Sequence, residues 1–586
     1  MRRAPLTSIV LILLGVLARP VCAAPPPIAG GGRASGVVAS DHTLASGAGA
    51  EILRLGGNAV DAAVATSLAL SVVRPDSCGI GGGGFILIHL ADDPRHGTRT
   101  IAIDARETCP AGIAPDSFER WGDPEASRFG GRAVGVPGTI AGLLHALEAY
   151  GTLDRATVFA PAIRLAERGF GADEHHVRTA RELGERFRDE PAWAARFDFV
   201  WERMLGEGRI EVGDRIDNPE QARALRRISE RGPAGFYDGP TAEAIVEAVA
   251  RDGGVITRAD LAAYRVRELE PLRVNWRGRT VLLMPPPSSG GVAMAQMFAL
   301  GERVGLAFEA GGWASPGQAH LFAEISRHAF ADRSRHLGDP DFHAAPVAAM
   351  LDPAALDAAA ARIDRARASR AGDAGVAPLP EDGGTSHLSV VDSRGNAVAC
   401  TETINLAFGS LLAVEGFCLN NQMDDFTTVR GEPNAFGLRQ SDVNLPEPGK
   451  RPLSSMSPTI VLDEVGRVLA VAGASGGPRI ISATAQVLWR VIEGGEDPEP
   501  AVRAPRLHHQ WSPDAVYFET RGEIGLPEDL RAGLEAMGHE LRARPDIGAV
   551  QIIARAPDGS WRAASDPRKG GRPAFEEHDL GTPARP

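Results

Sequence analysis

A threonine hydroxyl is a weak nucleophile unless a base sits beside it. One way to supply that base is to make the threonine N-terminal, so that its own α-amino group takes the proton. The stretch EDGGTSHLSVVD, residues 381–392, offers such an arrangement: a run of linker composition (AGDAGVAPLPEDGG, 371–384) ends in two glycines, and Thr385 at once opens an apolar alternating strand. A solvated linker that ends beside a strand is what a processing site needs. Gly384 places no Cβ in the path of the Thr385 hydroxyl toward the Gly384 carbonyl, and that attack gives an ester which water hydrolyses. The α-amino group so released has an ordinary pKa of roughly 7.7–8.0, so a useful neutral fraction exists near physiological pH. Taken alone, Gly-Gly-Thr-Ser before a strand is also ordinary loop chemistry.

A second nucleophile competes. Gly473-Ala474-Ser475-Gly476-Gly477 matches GxSxG between a strand pattern (RVLAVAG) and a helical one (IISATAQVLWRVI), the context of a serine-hydrolase elbow. Ser475 would then be the nucleophile and His508 or His509 its base, with the acid drawn from Glu493, Glu496, Asp497 or Glu499. Two other readings stand beside it. The glycines permit a tight strand-to-helix turn, or Gly476 and Gly477 present bare backbone N–H groups at a helix N-terminus, where they hold an oxyanion formed by another nucleophile. Gly79 to Gly84 formally matches GxGxxG, but a helical pattern precedes it and the strand Phe85-Ile86-Leu87-Ile88 follows, the reverse of a dinucleotide site.

The elements that must carry these residues fall into two regions. Apolar residues recur at helical spacing over 43–55 and 59–73, broken by Gly56-Gly57, which predicts a helical hairpin; further helical patterns cover 138–150, 241–253, 291–304, 319–336 and 353–370. After Thr385 the pattern changes to three hairpins, SHLSVVD/AVACTETI, SPTIVLD/RVLAVAG and GAVQIIARA/SWRAASD, which together predict a largely antiparallel sheet.

The bulk numbers limit the function. With a net charge of -13 and no basic stripe, the chain is a poor partner for nucleic acid. Residues 1–23 put Arg2 and Arg3 before a short apolar run and end in Val21-Cys22-Ala23, a secretory signal cut near Ala23; the run from Ser8 to Leu17 is too short to anchor the chain in a bilayer. The expected location is therefore periplasmic or extracellular. Cys78, Cys109, Cys400 and Cys418 are too scattered for a disulfide framework, and no Cys or His pair, His508-His509 included, has metal-ligand spacing.

Ten stretches together carry a resemblance: GGNAVDAAVATSLALSVVRPDSCGIGGGGFILIHL, IDARETCP, AVGVPGTIAGL, MPPPSSGG, GGTSHLSVVDSRGNAVA, LNNQMDDF, GKRPLSSMSPTIV, GASGGPRI, APRLHHQW and ASDPR, from residue 56 to 568. The sequence resembles the γ-glutamyltransferase family (γ-glutamyl transpeptidases, glutathione hydrolases), which are N-terminal-nucleophile enzymes. The resemblance implies an α+β fold, a four-layer αββα sandwich built jointly from fragments 24–384 and 385–586 of one precursor. It implies a γ-glutamyl ester on Thr385, passed to water or an amine acceptor, with no metal or organic cofactor.

By the same resemblance Thr385 is the nucleophile and new N-terminus after cleavage at Gly384-Thr385, Thr403 a hydroxyl that tunes it, and Gly476-Gly477 the oxyanion hole, which makes Ser475 a turn residue. Arg106 with Ser454 and Ser455 corresponds to a clamp for the substrate α-carboxylate, and Asn405, Gln422 and Asp425 to the group that receives its α-amino end. A planar guanidinium suits a carboxylate, and a carboxylate suits an ammonium. Singly, each has a plainer reading: Arg106 a surface ion pair, Asp424-Asp425 a turn, Ser454-Ser455 a cap. Residues 427–449 occupy the place of a mobile lid, with Phe436 where relatives carry a tyrosine. A same-fold acylase acting on glutaryl or other acyl amides is the nearest alternative, and Asn405 and Asp425 argue against it.

Overall fold

The computed structural model describes residues 35–309, 312–370, 384–521 and 524–576. The signal segment 1–23 and the linker 371–383 lie outside them. Two antiparallel sheets form the centre. The first has seven strands in the order Ala574–Phe575, Val37–Ser40, Gly384–Val391, Ala397–Asn405, Gly83–Asp93, Gly97–Ala105, Arg267–Leu269. The second has six: Trp561–Ser565, Ala549–Arg555, Val468–Ser475, Thr459–Leu462, Arg279–Leu283, Leu272–Trp276. Both sheets join strands from either side of residue 384, interleaved in the first and side by side in the second, so neither half of the chain completes a sheet alone.

Strand alternation divides the cores. From the first sheet Ile86, Ile88, Leu388, Val390, Val398 and Cys400 join a core shared with the helices Thr43–Arg54, Ala59–Val73 and Thr139–Tyr150. Their strand neighbours Phe85, Leu87, Val391, Ala397 and Ala399 join the other core with Val281, Ile460, Val471 and Ile552 of the second sheet and with the helices Ser289–Val304, Pro316–His336 and Arg479–Ile492. Small residues on this face let the sheets approach. At Gly473 a Cβ would lie 2.3 Å from the His387 ring, so the first glycine of the GxSxG stretch seats a histidine from the facing sheet.

The expected helical hairpin is present, with Asn58 and Asp61 closing a capping box on the second helix and Gly56 at φ 89° in the turn between them. The patterns at 138–150, 241–253, 291–304 and 319–336 are helices too. Three corrections follow from packing. The three hairpins divide between both sheets, the first in one and the other two in the second. The helix in 353–370 covers only Pro353–Ala361. Beyond it the chain is held by tertiary bonds, with Ala368 N donating to the Met537 carbonyl and Ser369 N to Glu324. The helix-rich region also supplies the strands Gly97–Ala105, Leu272–Trp276 and Arg279–Leu283; the first also pairs with Arg267–Leu269, and the last joins the hairpin it makes with Leu272–Trp276 to Thr459–Leu462.

The Gly79–Gly84 run is a close-packing device. Added Cβ atoms at Gly82 and Gly84 would meet the Thr403 and Thr401 carbonyls at 2.0 and 2.4 Å. Cys78, Cys109, Cys400 and Cys418 are all unpaired and buried. Among the described residues no helix is long and apolar enough to cross a membrane.

Candidate active site

Thr385 and Thr403 face each other across the ladder between Gly384–Val391 and Ala397–Asn405, so both side chains leave the same face. Their hydroxyls are 3.0 Å apart and buried. Thr403 also donates to the Gly384 carbonyl at 2.5 Å and accepts from the Asn405 amide at 2.8 Å. A hydroxyl has one hydrogen and two lone pairs. With its hydrogen on Gly384 and one lone pair on Asn405, Thr403 has only an acceptor left, so Thr385 must donate to it. The same bond polarises the carbonyl directly before Thr385. Asn405 closes the turn at φ 82°, a left-handed conformation that asparagine tolerates, and its side-chain N–H donates to the Asn421 carbonyl at 3.0 Å.

Gly384 is glycine for want of space. A Cβ there would lie 2.3 Å from the Leu406 carbonyl and 2.9 Å from that of Asp76. The first two residues of the strand are thus clamped by backbone on one side and by Thr403 on the other.

Thr385, Thr403 and Asn405 line one end of a cavity of about 20 Å³, and Arg106, Gln422, Asp425, Ser454 and Ser455 line the other. Gly477 forms part of its wall, and Phe436 and Leu438 roof it. Gly476 and Gly477, at φ 122° and 58°, turn the strand Val468–Ser475 into the helix Arg479–Ile492; Gly476 stands one residue behind the wall. A Cβ on Gly477 would meet the Phe436 ring at 2.7 Å. A space this size holds about one water.

Arg106 follows the strand Gly97–Ala105 and is fully buried. Its guanidinium donates to Asp425 at 2.5 Å, to the Pro452 and Leu453 carbonyls at 3.1 and 3.3 Å, and to Glu107 at 3.4 Å. Asp425 closes the short turn Gln422–Asp425 and also accepts from Gln422 at 2.6 Å. The two charges assigned to opposite ends of a zwitterion therefore neutralise each other here. A ligand carrying a carboxylate and an ammonium side by side would exchange with that pair charge for charge. Burial pushes the Glu107 carboxyl up to about 7, against the pull of Arg106.

Arg333, in the helix Pro316–His336, escapes sequence reasoning. It is buried, and burial brings its guanidinium down to about 10, still cationic at neutral pH. Its hydrogen bonds run to neutral groups: Ser289 at 2.9 Å, Gln440 at 3.4 Å and Ser455 at 3.5 Å. Two arginines thus stand against Asp425 and a Glu107 carboxyl raised by burial, an arrangement that favours an anion beside Ser454 and Ser455. Nothing in the helical pattern singles Arg333 out from the other arginines of its helix.

The lid segment is bonded in place over the cavity in this structure. Asp424 ties it down by accepting from Ala435 N at 2.8 Å, and Gln440 and Asn444 donate to the Asp425 carbonyl at 2.9 and 2.7 Å. Phe436 and Leu438 are buried, while 429–432 are exposed. Of the neighbouring pair, Asp424 is structural, bonded to Ser127 at 2.7 Å, and only Asp425 reaches the cavity.

The serine-hydrolase constellation does not assemble. Ser475 is buried with its hydroxyl unpartnered, while His508 bonds Ser482 at 2.5 Å and Gln510 at 3.0 Å and is held neutral by burial, at about 3. His509 pairs with Asp514 at 3.3 Å. The candidate acids Glu493, Glu496 and Glu499 pair with Arg277, Arg490 and Arg503. Among the described residues, the one His and carboxylate cluster compact enough for a metal is His320, Glu324 and His539. It is closed by hydrogen bonds: His320 to His539 at 2.8 Å and to the Asp364 carbonyl at 2.7 Å, and Glu324 to Ser369 N and Arg327.

Comparison with known proteins adds the lineage. A glutathione hydrolase proenzyme of Escherichia coli (strain K12) is 40% identical over 540 residues, covering 91% of this chain and 90% of its own length. An acylase ACY 1 proenzyme of Pseudomonas sp. (strain V22) is 35% identical over 552 residues, covering 92% and 93%. Among solved structures, the cephalosporin acylase from Bacillus halodurans aligns with a TM-score of 0.80 over 96% of this chain and 99% of its own, at 24% identity, a likeness of fold alone. The family model described as gamma-glutamyltranspeptidase matches residues 45–575. The chain belongs to the γ-glutamyltranspeptidase family.

Proposed function

We propose that this protein is a self-cleaving γ-glutamyl hydrolase and transferase that acts on γ-glutamyl amides such as glutathione through an N-terminal Thr385. The observation that carries the reading is the joining, in one cavity, of a paired threonine hydroxyl with the Arg106–Asp425 charge pair. In processing, the Thr385 hydroxyl adds to the Gly384 carbonyl while Thr403 donates to its oxygen. The C–N bond breaks with the nitrogen taking the proton, and water hydrolyses the resulting ester, leaving fragments 24–384 and 385–586 as a heterodimer.

In turnover the freed α-amine takes the Thr385 hydroxyl proton as that oxygen attacks the γ-carbonyl. The Gly476 and Gly477 amides receive the oxyanion. The departing amine leaves with the proton, and water or an acceptor amine then attacks the γ-glutamyl ester by the reverse steps. Arg106, Ser454 and Ser455 hold the substrate α-carboxylate; Asp425, Gln422 and Asn405 hold its ammonium. No metal or organic cofactor enters this sequence.

The layer order helix, sheet, sheet, helix is supported by the two cores, one between helices and the first sheet and one spanning both sheets and the second helix set. Export to the periplasm or exterior rests on residues 1–23. The proenzyme names of the relatives support processing. The acylase relative keeps one alternative, hydrolysis of acyl amides without an α-amino group. The test is a denaturing gel with N-terminal sequencing, together with assays on γ-glutamyl and glutaryl p-nitroanilides. Two fragments, the second starting at Thr385, and a strong preference for the γ-glutamyl compound are expected. A single chain that turns over neither anilide would overturn the proposal, and a glutaryl preference would select the acylase.

A further inference from the structure

Thr385 is held from a side that the catalytic reading leaves unexplained. The strand Gly384–Val391 is paired along its whole length with Ala397–Asn405, but its other edge is covered by Val37–Ser40 only from Leu388 onward, where Ser40 is opposite Leu388. At Asp41 the covering chain has left the ladder. Into that gap comes the buried ammonium of Lys569, which donates to the Thr385 carbonyl at 2.6 Å and to Ser77 Oγ at 3.0 Å and lies 3.4 Å from Asp41 Oδ2. An ammonium has three hydrogens, and three acceptors surround this one.

The tripod is itself fixed. Asp41 accepts from Gln551 at 2.5 Å, and Ser77 donates to Asp76 at 2.8 Å. Lys569 N bonds the Asp566 carbonyl, and its own carbonyl accepts from Arg74 at 2.7 Å. The lysine therefore arrives on a rigid turn, with its carbon stem buried and its charge directed at one backbone oxygen.

We propose that Lys569 is a positioning residue for the Thr385 nucleophile, replacing the missing ladder donor on the open edge of its strand. This rests on Thr385 being the nucleophile. Its importance follows from the cut: once the Gly384-Thr385 bond is broken, Thr385 is a chain end, and chain ends fray unless tied down. Ladder bonds to Ala397–Asn405 hold one edge and Lys569 holds the other. Misplacing a reacting atom by about 1 Å costs on the order of 100-fold in rate. The recognition groups Arg106 and Asp425 do not touch Lys569, so substrate affinity is insulated from its loss.

The experiment compares wild type, Lys569→Met, Lys569→Arg and the double variant Lys569→Met with Asp41→Asn, which removes the buried aspartate charge that the first change would strand. Mass spectrometry of an acid-quenched wild-type turnover, seeking a γ-glutamyl adduct on the Thr385 peptide, tests the nucleophile separately. Loss of that adduct would sink the underlying reading whatever the lysine variants do.

For Lys569→Met the expected result is a 10- to 100-fold fall in kcat on γ-glutamyl p-nitroanilide, with KM within about threefold of wild type. A folded but slowly cleaved Lys569→Met chain supports the same role, because Thr385 attacks in both steps. Lys569→Arg should recover part of the rate, and the double variant should recover thermal stability without recovering kcat. Wild-type kcat in processed Lys569→Met overturns the proposal. So does recovery of kcat in the double variant, which would assign the lysine to charge balance alone.

Discussion

At one end of the cavity Thr385, Thr403 and Asn405 are joined to one another by hydroxyls and backbone groups, with the Lys569 ammonium behind the Thr385 carbonyl; at the other, Arg106, Glu107, Asp425 and the nearby Arg333 bring four ionisable side chains together. The first end depends on geometry. Its bonds leave Thr403 a single way to distribute one hydrogen and two lone pairs, and Gly384 has no space for a Cβ. The second depends on charge, with the Arg106–Asp425 ion pair at its centre. A nucleophile gains from exact placement, since orientation lowers the barrier directly. Recognition of a small charged group gains from matched, desolvated charges, which discriminate against partners that lack them.

The largest expected effect falls at the geometric end. Thr385→Ala should remain one uncut chain and lose all measurable activity; a gel with two normal fragments would break the assignment of that end.

Next comes the charged end. Removing one partner of a buried charged pair costs roughly 2–5 kcal/mol, on the order of 30- to 5,000-fold in kcat/KM. Asp425→Ala should lose that factor on γ-glutamyl p-nitroanilide yet change little on the glutaryl compound, which has no ammonium. Equal losses would make Asp425 a structural brace for Arg106.

Thr403→Val keeps the shape and removes the hydrogen given to Gly384. By analogy with oxyanion donors it should slow processing on the order of 100-fold, and Thr403→Ser should restore it. Cleavage time courses on gels measure both, and unchanged cleavage in the valine variant would detach Thr403 from the scissile carbonyl.

A smaller effect sharpens the electrostatic side. Glu107, surrounded by Arg106, Asp425 and Asp104, is raised by burial to about 7 from an ordinary 4.5. Its stabilising contribution is therefore full below about pH 4.5 and is lost as pH rises through 7, on the order of 3 kcal/mol in all. Glu107→Gln should flatten the fall in Tm between pH 5 and pH 9, and an unchanged slope would remove Glu107 from that balance. The smallest effect is expected at Ser475→Ala, which should be processed and active like wild type; a serine-reactive fluorophosphonate that labels Ser475 and abolishes activity would revive the rival nucleophile.

The sequence by itself determined the lineage and marked the candidate junction. A linker ending at Gly384, a threonine opening an alternating strand, and ten motifs in family order are local or ordered features that need no coordinates. It also placed the principal helices, because their 3.6-residue apolar spacing and their Gly and Asn boundaries are properties of each segment. Only the tertiary structure decided between Ser475 and Thr385 as the better-supported hydroxyl, since what matters is whether a partner from a distant segment arrives: Thr403 does, and His508 turns to Ser482 instead.

Only it divided three similar hairpins between two sheets, because strand pairing joins edges remote in sequence and leaves no periodic mark. Arg333 and Lys569 belong to the same class. Each is one basic residue among many in the chain, set apart only by burial against a serine or a carbonyl more than a hundred residues away in sequence. Apolar periodicity records which face of an element is buried. It does not record which buried polar group will meet which, because that depends on the relative placement of whole layers.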